Sequence, residues 1–174
     1  MIKIFFSSSY NVQHKYINPD NALEMLKDDI RTKIIGDVKK FVYSGDGVKI
    51  KGNNNVLYIG GFYYEKEKYL NSKYGECENT VRCELEQIDR SDLVLVSLLK
   101  YSAIASITEL IYASFKNKKI VVFCDKNITQ FKTEYEYWFP LITSMVVNKK
   151  IDIIYVGNEN EIVDYINNLK EEEI

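Results

Sequence analysis

Two uninterrupted aliphatic runs, Leu93-Val94-Leu95-Val96 and Ile120-Val121-Val122-Phe123, constrain this chain more than any other feature in it. A strand with one wet face alternates apolar and polar residues, so a run without polar positions has to be covered on both faces. Such strands lie at the centre of parallel sheets, and parallel neighbours need a crossover, usually helical. Thr108 to Lys116 supplies a helix between the two runs. The same alternation extends outward. Ile2-Lys3-Ile4-Phe5-Phe6 and Ile151-Asp152-Ile153-Ile154-Tyr155-Val156 read as further strands. Cys77 to Arg90, with Val81, Leu85 and Ile88 on one face, Glu134 to Met145 and Glu159 to Lys170 read as helices. An early helix is expected from an Asn18 cap and Pro19, through Leu23, Leu26, Ile30 and Ile34, to a left-handed Gly36. Between Phe41 and Ile59, strand-sized pieces alternate with Gly- and Asn-rich turns, room for a β-hairpin excursion at 41–59. The acidic Glu171-Glu172-Glu173 reads as a frayed, solvated tail. Alternating strands and helices predict an α/β fold, an open three-layer sandwich around a mostly parallel, about five-stranded sheet.

The 174 residues suit one domain, 1–174, and show no repeat or linker. With 23 basic against 25 acidic residues, the chain lacks the basic footprint that binding polymeric nucleic acid requires. Three cysteines without CxxC spacing and one histidine, His14, argue against a disulfide framework, a zinc site or a Ser-His-Asp triad. No cofactor or metal is expected. No apolar run approaches the roughly 20 residues of a membrane span, and Met1 leads directly into a strand-like segment, so a cytoplasmic protein without a membrane partner is expected. The 14 tyrosines are read equally well as codon bias.

In an open α/β sheet the ligand crevice lies beyond the carboxyl ends of the strands. There Ser7, Ser8, Ser9 and Tyr10 form either a plain serine-rich turn or a receptor for a phosphate or sugar hydroxyl. Gly60-Gly61-Phe62 forms either a bulge or a place where a ligand nears the backbone and stacks on a ring. Glu109, expected in the first turn of its helix, either complements the helix dipole or points into the crevice. Asp92 is read first as a cap at a strand start and second as a ligand contact.

The segment Ile88-Asp89-Arg90-Ser91-Asp92 before the first aliphatic run, then Ala105-Ser106-Ile107-Thr108-Glu109-Leu110-Ile111-Tyr112-Ala113, then Asn117-Lys118-Lys119 before the second run, resembles the nucleoside 2-deoxyribosyltransferase family. That family's pattern is I-x-x-(A/S)-D, then G-T-x-x-E-(I/L)-G-Y-A, then x-K-P-(V/I). Tyr58-Ile59-Gly60-Gly61-Phe62 is similar to its Y-x-G-P-F segment. Ala105 and Ser106 stand for Gly-Thr, Ile111 for a glycine, Gly61 for a proline, and Ser102-Ala103 where some members carry a sugar-binding aspartate.

The resemblance implies a flavodoxin-like sandwich, with Glu109 as the nucleophile and Glu84 as the acidic partner facing the leaving base. Ser7, Ser8, Tyr10, Gly60, Gly61, Phe62, Asp92, Ala105 and Ser106 would line the substrate pocket. Retaining cleavage of an N-glycosidic bond needs such a pair, one carboxylate to attack the anomeric carbon and one acid to manage the proton on the base. The implied activity is transfer or hydrolysis at that bond of a small nucleoside or nucleotide, through a covalent glycosyl-glutamate. A homo-oligomer is also implied, with the aromatic stretch around Trp138 as its candidate surface. Alternatives are a nucleoside 5'-monophosphate hydrolase using Ser7, Ser8, Ser9 and Ser106, a non-catalytic binder of a nucleotide signal, and an NAD glycohydrolase.

Overall fold

The computed structural model describes residues 1–8, 29–36, 47–60, 76–99, 104–126 and 151–174. Strands β1 (Ile2–Ser8), β2 (Val48–Lys49), β3 (Val56–Gly60), β4 (Leu93–Leu98), β5 (Lys119–Asp125) and β6 (Ile151–Val156) form one sheet in the order β2-β3-β1-β4-β5-β6. Every neighbouring pair is parallel except β2 with β3. Without the two-residue β2, the strand order is 2-1-3-4-5, the doubly wound arrangement of flavodoxin-like folds. The excursion expected at 41–59 is therefore only partly one. Val56–Gly60 belongs to the main sheet beside β1, and the short Val48–Lys49 folds back on it.

Helices α1 (Ile30–Ile35) and α4 (Glu159–Asn167) cover one face, and α2 (Glu76–Arg90) and α3 (Ile104–Phe115) the other. Ile2, Ile4 and Phe6 pack with Ile30, Ile34, Ile162 and Ile166 on the first face. Phe5, Val94, Val96 and Val122 pack with Ile88, Leu110 and Ala113 on the second. This two-sided burial is what the aliphatic runs require: all six residues of β4 are buried.

Several boundaries differ from the sequence reading. Asp29 is extended (φ −72°, ψ 144°) and caps α1 by accepting a hydrogen bond from the Arg31 N–H, so the helix that ends at Gly36 begins at Ile30 rather than near Asn18. Gly36 does take the left-handed cap, at φ 79°. Helix α3 starts four residues earlier than expected, which moves Glu109 into the second turn and leaves no acidic residue in the first. On α2, Ile88 is buried and Leu85 packs against the core, whereas Val81 is 53% exposed. Glu171–Glu173 forms a 3-10 turn, and the Glu171 carboxylate pairs with the Met1 ammonium, so this end is tied down rather than frayed. The expected helix Glu134 to Met145 lies outside the described residues. No described helix is long and apolar enough to cross a membrane.

Candidate active site

The two helices on the second face carry the carboxyl groups. On α3, Ser106, Glu109, Leu110 and Ala113 recur at three- and four-residue spacing, so Glu109 shares the stripe that faces the sheet. On α2, Glu84 stands one turn before the buried Gln87 and Ile88 on the inward stripe. The two helices are tied together at the far end. Tyr112 Oη donates to the Asp89 carboxylate at 3.1–3.2 Å, and Lys116 Nζ donates to it at 3.1 Å. Lys118 Nζ donates to the carbonyls of Asp89 and Ser91 at 2.6 and 2.8 Å, capping α2.

At the carboxyl end of β1 the carboxyl groups of Glu84 and Glu109 meet in a hydrogen bond. The Ser7 hydroxyl donates to Glu109 Oε2. Ser7 is buried and leans toward the α2/α3 face, like Phe5 two residues earlier. Burial, and then the adjacent Glu109 charge, push the Glu84 carboxyl up to about 8. Burial also raises Glu109, but the Ser7 hydroxyl, the positive Arg31 and the hydrogen bond with Glu84 all favour its ionised form. Both carboxyls are therefore raised as a coupled pair, with the Ser7 hydroxyl favouring ionisation of Glu109 and the Glu109 charge favouring the proton on Glu84.

Arg31, Asp29 and Tyr58 complete the cluster, and the sequence reading did not single them out for it. Arg31 is 1% exposed and Asp29 2%. Arg31 Nη1 donates to both Asp29 oxygens at 3.1 and 3.2 Å, Nη2 donates to the Ser8 carbonyl at 2.7 Å, and the guanidinium lies over the Phe6 ring. The Tyr58 hydroxyl is buried beside Arg31, yet neither it nor Ser8 Oγ meets a hydrogen-bond partner in normal geometry among the described residues. Burial drives the phenol far above its ordinary range, so it stays neutral. The sequence signal for Tyr58 was its place in β3, paired with Ile4 and so sharing that residue's buried face. The signal for Asp29 and Arg31 was a short capping residue ahead of Ile30, Ile34 and Ile35.

Of the expected site residues, Glu109, Glu84 and Ser7 come together, and Ser8 adjoins them through its carbonyl. Ser7 gives its hydroxyl to Glu109. Ser106 is buried on the α3 stripe with Glu109, and Ala105 beside it is exposed. Gly60 ends β3, but its lack of a side chain serves packing. A Cβ there would come within 2.1 Å of Gln87 Oε1. Asp92 is not at the site. Its carboxylate accepts from the Lys3 N–H at 2.8 Å and its own N–H donates to the Lys3 carbonyl, at the amino end of β4. That is four residues, roughly 13 Å, below the level of Ser7. Tyr10, Gly61, Phe62 and Trp138 lie outside the described residues.

No family model matches the chain. No curated protein matches it either. Among solved structures, a conserved protein from Enterococcus faecalis V583 is similar in fold, with a TM-score of 0.51 at 14% identity over 95% of this chain and 97% of that one.

Proposed function

We propose that the chain cleaves or transfers at the N-glycosidic bond of a small nucleoside or nucleotide, with Glu109 as nucleophile and Glu84 as general acid and base. The observation that carries this reading is the partly buried carboxyl pair at the end of β1, in which the Ser7 hydroxyl donates to Glu109 while burial and the Glu109 charge raise Glu84. Two adjacent carboxyls in opposite protonation states at one pH have separate roles, one to attack and one to donate. In the first step a Glu109 oxygen bonds to the anomeric carbon as the C–N bond breaks. The bond's electron pair leaves with the base nitrogen, which takes the proton that Glu84 otherwise shares with Glu109. In the second step water or another base attacks the same carbon, Glu84 accepts its proton, and the Glu109 ester bond breaks. Access of water decides between hydrolysis and transfer.

The test is base release from a panel of nucleosides, their 5'-monophosphates and NAD, read by chromatography. Glu109→Gln should lower the rate about 10⁴-fold or more, as loss of a nucleophile does. Glu84→Gln should cost about 10²- to 10⁴-fold, the range for a general acid. A Glu109→Gln variant with wild-type turnover contradicts the reading, since an amide cannot form the glycosyl ester.

A further inference from the structure

Arg31 stands where the three layers meet. It belongs to α1 on one face of the sheet, its Nη2 reaches over the end of β1 to the Ser8 carbonyl, and the carboxyl pair lies on the other face. A guanidinium this deeply buried is costly unless its donors are met. Asp29 meets Nη1 with both oxygens, and the last carbonyl of β1 meets Nη2. That carbonyl belongs to the residue after Ser7, whose hydroxyl holds Glu109. Arg31 is thus one peptide unit from the side chain that orients the candidate nucleophile.

We infer that the buried Asp29–Arg31 couple is a positioning device for the Glu84–Glu109 pair: it pins the carboxyl end of β1 so that Ser7 meets Glu109, and it brings one fixed positive charge to the pair. The inference rests on the proposed roles of Glu84 and Glu109. A lysine would not reproduce it, because one ammonium cannot span Asp29 and the Ser8 carbonyl with the fixed fork of a guanidinium. Among the described residues, the groups that act on the pair are Arg31 from α1, the Ser7 hydroxyl from β1 and, through Glu109, Tyr58 from β3. Arg31 favours the ionised form of both glutamates, and Asp29 is not among the groups that act on either, so the positive end of the couple is the end the pair feels.

The test titrates the two carboxyls directly, by NMR of the full chain carrying glutamate labelled with ¹³C at the side-chain carboxyl, with Glu84→Gln and Glu109→Gln used for assignment. In Asp29→Asn/Arg31→Gln, which removes both charges and keeps hydrogen-bonding groups, both titration steps should move up by about one pH unit. In Asp29→Asn alone, which keeps the cap and leaves Arg31 without its counter-charge, the steps should stay or move down. Steps that do not move in the double variant, or that move up in Asp29→Asn, overturn the inference. If the double variant fails to fold, the sign in Asp29→Asn alone decides. The pH–rate profile should follow, with both limbs displaced upward in the double variant, whereas an equal loss at every pH would mark a merely structural role. The titration needs no substrate. Absence of base release by the wild type would defeat the proposed reaction, and carboxyl titrations unmoved in the double variant would defeat this positioning role.

Discussion

The carboxyl pair makes stability depend on pH through Glu84. In the unfolded chain this glutamate titrates near its ordinary value of 4.5, and in the folded protein near 8. The folded state therefore binds the Glu84 proton more tightly. The stability associated with that proton is fully present below about pH 4.5, is lost as the pH rises toward 8, and is gone above it. At about 1.36 kcal/mol per pH unit the whole interval corresponds to about 5 kcal/mol. Because Glu84 is only partly enclosed and shares its proton with Glu109, roughly 3 kcal/mol is the figure to use. Glu84→Gln removes the titration while keeping an N–H that can donate to Glu109. At pH 5 the variant should melt within a few degrees of the wild type. At pH 9 it should be more stable by roughly 3 kcal/mol, or about 6–12 °C in Tm for a domain of this size. Calorimetry or dye-monitored melts of both proteins at pH 5, 7 and 9 measure the difference, which cancels the other titrating groups. A gap that is the same at pH 5 and pH 9, or that favours the wild type at pH 9, refutes the reasoning.

Ser7→Ala should slow base release about 10- to 100-fold, the worth of a hydrogen bond to a charged group, and shift the acidic limb of the rate profile to higher pH because the Ser7 hydroxyl holds Glu109 ionised. Tyr58→Phe removes a buried hydroxyl that meets no partner in normal geometry among the described residues, so urea denaturation should show it neutral or stabilised by about 1 kcal/mol. Gly60→Ala would drive its methyl into Gln87 and displace α2 from β3, and denaturation should show a loss of about 1–3 kcal/mol.

Local pattern carried most of the fold. The aliphatic runs that became β4 and β5 are buried on both faces, and Gly36 takes the left-handed cap that its place after Ile34 and Ile35 suggested. Asp92 orients the start of β4, the simpler of its two readings. Glu84 and Glu109 were named together through the family resemblance and Ser7 through its place after the first strand, and only folding brings residues 7, 84 and 109 to one strand end. Asp29 and Arg31 were hidden because nothing local separates a buried ion pair from the surface charges common in a chain that is 28% charged. Whether such a pair is enclosed depends on what packs over it from elsewhere, here β1 and its Phe6. Glu109 was assigned to a first turn because the helix was expected to begin at Thr108. The helix begins earlier, at Ile104, and that places Glu109 on the inward stripe instead of at the dipole end.

The central claim is a covalent bond between a sugar and Glu109. The measurement that reaches it most directly is peptide-mapping mass spectrometry of protein incubated with nucleosides, nucleotides and NAD and quenched in acid. The expected result is a glycosyl adduct confined to the peptide containing Glu109, increased in Glu84→Gln if breakdown of the ester slows more than its formation, and absent in Glu109→Gln. Free base released with the adduct on another residue, or an adduct that persists in Glu109→Gln, would contradict the account.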